Sequence, residues 1–193
     1  MKVYTDSQLL NRAKSLPDYK GIPQGHWILG VRSAEDKPDA FDDKFYHFIG
    51  ETFRQVIKGT TNPGVTVLKN FGKFNPNGAA VVKSDEWYYD LWKFGKHHGK
   101  VDALLQSGSK IKVHRDGDKD NKSEEQGLLQ EGFFGINYHS NGYDIDAKAT
   151  GTVVGGWSAG CQVPCEIQKY KKQMQEFKLS KQPTFTYCLL KEF

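Results

Sequence analysis

A histidine and a cysteine stand in one glycine-rich stretch of the chain, from residue 132 to residue 164. His139 follows an apolar run, and Cys161 ends the turn sequence Ser-Ala-Gly-Cys. A free cysteine is mostly protonated at neutral pH, so a nucleophilic thiol needs a base that removes its proton. The pair therefore predicts thiol chemistry, with Cys161 as the nucleophile and His139 as the general base. A buried structural cysteine and a hydrogen-bonded histidine are the alternative, because catalytic partners are recognised in space rather than in sequence.

The residues just before the cysteine are small, and a helix is predicted to follow it. Small side chains allow a tight turn and let a substrate approach the backbone. We expect the backbone N–H groups of Gly160 and Cys161 to stabilise an oxyanion. An amphipathic pattern predicts a helix over residues 166–179, and the positive end of its dipole is expected to favour the Cys161 thiolate.

This stretch resembles the active-site signature of the YkuD-type L,D-transpeptidases. In that family a histidine in an apolar-His-small context is followed, after a spacer, by Ser/Thr-His-Gly-Cys. Residues 136–140 (INYHS) are similar to the first part and residues 158–161 (SAGC) to the second. Ala159 stands where the family usually has a histidine, and Gln162 begins a segment in which the family often has arginine or asparagine. The nucleophile and the base are retained, so the resemblance still implies thiol chemistry.

A second segment extends the resemblance towards the N-terminus. The sequence predicts a hairpin around Gly50, followed by a loop rich in Thr, Gly and Pro at residues 59–64. The family domain opens in the same way, so the resemblance covers residues 26–165. It implies a mainly β fold: one domain over residues 1–193, with a YkuD-type antiparallel β-sandwich or barrel from residue 26 onward. A short helical extension within residues 1–20 and one helix after the cysteine complete the expected fold.

The resemblance also implies an activity, acyl transfer or hydrolysis on peptidoglycan stem peptides. Cys161 would form a thioester, His139 would move the proton, and the carbonyl of Ser140 would orient the imidazole. No cofactor and no metal is implied. Two alternatives stay open: a non-catalytic wall-binding module that keeps the fold, and a cysteine hydrolase that acts on another amide.

Four residues are predicted to contact the substrate. Trp157 lies just before the turn and Tyr143 just after His139, so both are close to the site along the chain. Ser158 belongs to the turn itself. His97 lies in the aromatic and basic run of residues 87–98, which reaches the site only if it folds over as a lid. The alternatives are that this run is a core segment and that Trp157 packs as a plug behind the turn.

Composition sets limits on the class of protein. A chain of 193 residues with 26% charged and 13% aromatic residues is typical of one soluble globular domain. The net charge of +4 comes without a Lys/Arg block, so we expect no nucleic-acid partner. Three cysteines leave at least one thiol unpaired, and no second Cys/His pair accompanies Cys161 and Cys165 at zinc-ligand spacing.

The N-terminal residues lack the apolar core of a signal peptide, and no window is long enough to span a membrane. We therefore expect a protein that is cytoplasmic as made, or that reaches the cell wall by another route, as a phage lysin or a secreted effector would. We also expect a monomer.

The remaining patterns predict the local structure. A helix over residues 8–16 is expected to be capped by Asp6 or Ser7. Strands are expected at residues 27–32, 78–82, 111–115 and 185–190.

Overall fold

The computed structural model describes residues 2–147 and 151–193. With 35% of the residues in strands and 17% in helices, the fold is mainly β, as predicted. The helices are α1 (Asp6–Lys14), α2 (Val65–Asn70) and α3 (Ile167–Ser180), with a 3-10 turn at Phe71–Lys73. The strands are β1 (His26–Arg32), β2 (Asp43–Ile49), β3 (Thr52–Thr60), β4 (Ala79–Val82), β5 (Glu86–His97), β6 (Val101–Gln106), β7 (Ile111–Asp116), β8 (Leu128–Gly132), β9 (Val163–Pro164) and β10 (Phe185–Lys191).

The helices differ from the expected ones in two respects. The predicted helices near the N-terminus and after the cysteine are present, but α2 is a third helix, in a segment for which the sequence predicts no element. At the N-terminus the capping residue is Thr5, not Asp6 or Ser7. Thr5 accepts the Gln8 N–H, and the Gln8 side chain accepts the Thr5 N–H, so a reciprocal capping box forms one residue earlier than predicted.

The strands form a seven-stranded sheet in the order β6-β5-β10-β1-β2-β3-β9 and a three-stranded sheet in the order β4-β7-β8. Neighbouring strands are antiparallel except for β1 and β10. The parallel pair has a topological reason, because α3 carries the chain across the sheet before β10 enters beside β1. The antiparallel expectation therefore holds for all of the named strand pairs but this one.

Each face of the large sheet has its own core. On one face Leu9 and Ala13 of α1 pack with Trp27 and Trp87, and the Trp87 indole N–H donates to the Ala13 carbonyl at 2.8 Å. The helix within residues 1–20 is therefore built into the packing of the sheet. The opposite core joins three groups, from α3, the small sheet and the large sheet.

The aromatic run of residues 87–98 forms strand β5 rather than a lid. Trp92, in its middle, is fully buried and donates its indole N–H to the Ile136 carbonyl at 2.8 Å. The core interpretation is therefore correct for this part of the run. The end of β5 instead turns back through a tight hairpin into β6, which brings His97 out of the core. No helix in residues 2–147 or 151–193 combines the length and the apolar character that a membrane crossing requires.

Candidate active site

The candidate site lies on a seam where the two edges of the large sheet meet. Tyr138 forms an antiparallel bridge with Leu104 of β6 and a parallel bridge with Gln162, which directly precedes β9. The sheet therefore curls until β6 and β9, at opposite ends of the strand order, are joined through residues 137–139. Hydrogen bonds from Gln162 N to Asn137 O (2.8 Å) and from His139 N to Gln162 O (3.2 Å) hold the seam.

The seam brings together the histidine and the cysteine that the sequence singled out. Tyr138 and Gln162 are fully buried and point to one side. Side chains alternate along extended backbone, so His139 and Cys161, each one residue from the bridged pair, project to the other side, offset by two positions along the paired segments. Within the described residues the Cys161 sulfur bonds to Gly135 and Asn137 and not to the His139 ring. One parallel bridge thus brings the two chain segments that carry these residues next to each other.

His139 is held as a neutral base. Its Nδ1 lies 2.8 Å from the carbonyl oxygen of Ser140. Because a carbonyl only accepts, Nδ1 must carry the ring proton, and Nε2 is the nitrogen with a free lone pair. Burial, and secondarily the neighbouring imidazoles of His97 and His98, lower the pKa of His139 to about 3. At neutral pH the ring is uncharged, and the same burial makes its protonation unfavourable until a reaction develops charge beside it.

Cys161 is held as a thiol, which differs from the expected thiolate. Its Sγ donates to the Gly135 carbonyl and accepts the Asn137 N–H, both at 3.5 Å. The residue reaches the surface, yet its sulfur is surrounded by protein, and this burial raises the pKa of Cys161 to about 11 against a small opposing effect of the Asn137 N–H. The helix dipole does not reverse this, because β9 and Glu166 separate the sulfur from the start of α3 at Ile167.

The other two cysteines are buried in the described structure. Burial raises the pKa of Cys165 to about 11 and that of Cys188 well above its usual value. All three cysteines are free, and Cys161 is the one that is partly exposed.

His97 covers the base. Its ring stacks on the His139 ring, with centroids 3.8 Å apart and planes 7° apart. The Asn137 side-chain amide donates to His97 Nδ1 at 3.4 Å, while its amide oxygen accepts the Gln106 N–H at 2.9 Å. Burial and the neighbouring His98 lower the pKa of His97 to about 4, so the stacked rings are both neutral at pH 7. Sequence reasoning missed Asn137; the available signal is its position two residues before the base, on the same face of the strand.

A row of rings continues from His97 to the surface. His98 packs against His97 with centroids 4.1 Å apart and against Tyr143 with centroids 6.4 Å apart. Tyr143 meets Trp157 edge-on at 5.2 Å, and the Lys100 ammonium lies 4.5 Å from the Tyr143 ring centre. The structure therefore joins the predicted substrate contacts His97, Tyr143 and Trp157 in one wall that leads to His139. Trp157 is half-buried and belongs to none of the described core clusters.

The cysteine turn is braced from within. Ser158 is fully buried, and its hydroxyl donates to the Cys161 carbonyl at 2.8 Å and accepts the Gly160 N–H at 3.2 Å. Gly160 has φ +124°, and a Cβ there would lie 2.6 Å from the Ala80 carbonyl oxygen, so glycine is required. The buried Gln162 side chain also supports the turn, because its amide donates to the Gly160 carbonyl at 3.1 Å.

This bracing changes the expected roles of two turn residues. The Ser158 hydroxyl is closed to a substrate while the turn stays folded, and the Gly160 N–H is already engaged. Within residues 2–147 and 151–193, the Cys161 N–H has no acceptor, so it remains available as an oxyanion donor.

One group of side chains among the described residues has ligand atoms close enough together to hold a metal ion, and it lies apart from the cysteine site. Ligand atoms of His26, His47 and Glu176 all lie within 4.8 Å of one another. His26 Nδ1 is 2.9 Å from His47 Nε2, and the Arg54 guanidinium is 3.6 Å from the Glu176 carboxylate. A metal ion would have to break the contact between the two imidazoles and bind beside the positive charge of Arg54. We therefore interpret this group as a pair of packed histidines rather than a metal site.

Comparison of the chain with protein-family models, with curated proteins and with solved structures finds no match. The resemblance to the YkuD-type family therefore depends on the motif residues themselves.

Proposed function

We propose that the protein is a cysteine acyltransferase or peptidase that acts on peptidoglycan stem peptides. The observation that carries the proposal is the seam, on which Cys161 and a neutral His139, with its Nε2 lone pair free, share one face beside an open wall of rings. General-base activation of a thiol requires the two groups on one face, and a side-chain rotation must then bring His139 Nε2 within reach of the Cys161 sulfur.

In the proposed reaction His139 Nε2 accepts the thiol proton as the Cys161 Sγ attacks the carbonyl carbon of the substrate amide. The N–H of Asn137, 3.5 Å from Sγ, stabilises the charge that develops on sulfur, and the N–H of Cys161 is the candidate oxyanion donor. Protonated His139 then gives its proton to the leaving amine, and a thioester remains on Cys161. Attack by an amine gives a cross-link, and attack by water gives hydrolysis.

The supporting groups have positioning roles in this scheme. The Ser140 carbonyl fixes the tautomer of His139, and the stacked His97 restricts the tilt of its ring. His97 is itself held by Asn137, which also contacts the nucleophile through its backbone. One residue thus couples the position of the base to that of the thiol.

The choice of substrate follows from the resemblance of the two motif halves to the L,D-transpeptidases. The row from His97 to Trp157 offers large apolar faces with little entropy to lose, which suits an extended peptide. The carbonyl attacked would be that of the diamino acid that precedes a terminal D-alanine.

The experiment is incubation of purified peptidoglycan with the protein, muramidase digestion and mass spectrometry of the muropeptides. We expect loss or exchange of terminal D-alanine, or new cross-links, with the wild type and with Cys165→Ala, the buried cysteine that serves as the matched control. Cys161→Ala should leave the muropeptides unchanged. In parallel, an acylating carbapenem should add its mass to the peptide that contains Cys161.

The other outcomes separate the alternatives. A carbapenem adduct with unchanged muropeptides would point to a hydrolase for another amide. Binding to peptidoglycan without an adduct or any change in the muropeptides would identify a non-catalytic wall-binding module, and the proposal would be abandoned.

A further inference from the structure

A buried arginine without a counter-charge lies near the cysteine turn. Arg115 on β7 is only 6% exposed. Its Nε donates to the Gln130 side-chain oxygen at 2.7 Å, and its guanidinium carbon lies 4.7 Å from the Phe134 ring centre. Within residues 2–147 and 151–193, neither of its terminal amino groups has a hydrogen-bond acceptor, and no carboxylate pairs with it. Its terminal amino groups keep access to solvent, so the guanidinium is partly desolvated and remains open to an anion that would pair with it.

The arginine faces a pocket. A cavity of about 510 Å³ is bordered by Arg115, Phe133, Phe134, Ala159 and, at its rim, by Lys73. Among the described residues that line it there are two cations and no acidic side chain. Phe134 covers one face of the guanidinium, and its neighbour Phe133, also in the wall of the pocket, is 58% exposed, so the pocket has an apolar wall that opens to solvent. Such a pocket favours a carboxylate attached to an apolar or peptide chain.

Two chain segments connect this pocket with the nucleophile. Ala159 is both a wall of the pocket and a member of the cysteine turn. The turn packs on β4, because Gly160 approaches the carbonyl of Ala80, and Ala80 is the register partner of Arg115. On the other side Phe134 precedes Gly135, whose carbonyl accepts the Cys161 thiol. The guanidinium is therefore one strand away from the turn that carries the thiol.

We propose that this pocket, defined by Arg115, Phe133, Phe134 and Ala159, binds a carboxylate of the acyl-donor peptide and so aligns the peptide on Cys161. The inference rests on the proposed function and adds to it the chemical class of the group recognised, a free carboxylate close to the scissile amide. Arg115 is a binding residue in this scheme, because the planar fork of its two amino groups matches a carboxylate. The carboxylate belongs to the terminal residue of the stem or to the side chain of its diamino acid.

The first test needs no peptidase activity. Cys161 is alkylated with iodoacetyl-glycine and iodoacetyl-glycylglycine, and with the C-terminal amides of both, and the rates are measured by mass spectrometry of the Cys161 peptide. With the wild type we expect at least one carboxylate reagent to react about tenfold or more faster than its amide, the scale of a charge-assisted hydrogen bond. In Arg115→Gln this preference should disappear, while iodoacetamide, which lacks a carboxylate, should react with Cys161 at the wild-type rate.

Two variants guard the interpretation. Lys73→Gln removes the cation at the exposed rim and should change the preference by less than about twofold, because an exposed charge is screened. Arg115→Lys keeps the charge and loses the fork, so it should retain only part of the preference even if Arg115→Gln does not fold. A wild-type preference below about twofold, or a preference that survives in both Arg115 variants, would overturn the carboxylate site.

The second test uses stem tetrapeptides and separates this inference from the proposed function. If the wild type processes them, the terminal carboxylate and the diamino-acid side-chain carboxylate are amidated in turn. The amidation that causes the larger loss in kcat/KM identifies the carboxylate that the pocket recognises. Turnover that neither amidation nor Arg115→Gln reduces would refute the site and leave the proposed function standing. An Arg115-dependent labelling preference without any turnover of stem peptides would support the carboxylate site and refute the proposed function.

Discussion

The protonation state of Cys161 leads to a prediction that contradicts the expectation of a thiolate favoured by the helix dipole. The pKa of Cys161 is raised to about 11 and that of His139 is lowered to about 3. Before the attraction between the two charges is counted, moving the thiol proton to the imidazole in the free protein is uphill by about eight pKa units, on the order of 10 kcal/mol. The resting state is therefore the neutral pair.

The expected rate follows from these values. At pH 8 a thiol of pKa about 11 is about 0.1% ionised, roughly 200-fold less than a free cysteine of pKa about 8.5. The more basic thiolate is intrinsically more nucleophilic, which returns about tenfold. Cys161 should therefore react with iodoacetamide roughly 20-fold more slowly than glutathione does in the same tube, and its rate should rise close to tenfold per pH unit from pH 7 to pH 10.

The assay is timed labelling over that pH range, with mass spectrometry of the Cys161 peptide. His139→Gln is the control, and it should leave the shape of the profile unchanged, because the base does not hold the thiol proton in the resting state. A rate that levels off between pH 6 and pH 8, together with loss of that plateau in His139→Gln, would show an ion pair and refute the reasoning.

Three further predictions concern the turn, the wall and the fold. Gly160→Ala should lower the free energy of unfolding in urea by about 1–3 kcal/mol because of its positive φ and close carbonyl contact, whereas Gly156→Ala, with open space around it, should change it little. Trp157→Ala should raise KM for the stem peptide and cost less stability than the about 3–5 kcal/mol of a core tryptophan; a collapse in Tm with unchanged kinetics would return Trp157 to the core. Burial lowers the pKa of His47 to about 3, so the unfolded chain binds the extra proton; stability should fall as pH drops from about 6.5 towards 3, and His47→Gln should flatten that loss in urea titrations at each pH.

Much of the architecture could be predicted from local patterns. The run at residues 27–32 has the unbroken apolar character of a strand buried on both faces, and a turn glycine marks the hairpin at Gly50. The stripe of Ile167, Tyr170, Met174 and Phe177 has the period of the helix that it forms. The turn before Cys161 is also a local property, because only glycine at position 160 tolerates its backbone angle and the nearby Ala80 carbonyl. Sequence reasoning likewise singled out the cysteine and the histidine whose chain segments meet at the seam.

The state of the site was decided by tertiary structure. The sequence allowed a helix dipole to favour the thiolate, but the burial that determines the pKa of Cys161 exists only after the edges of the sheet close through Tyr138. His97 was predicted to reach the site as part of a lid; it stacks on His139 because the hairpin from β5 to β6 ends there. The missing counter-charge of Arg115 is likewise invisible in the sequence, which contains 23 acidic residues that could have paired with it. Burial, stacking and pairing depend on which distant segments meet, and local residue patterns carry little information about those contacts.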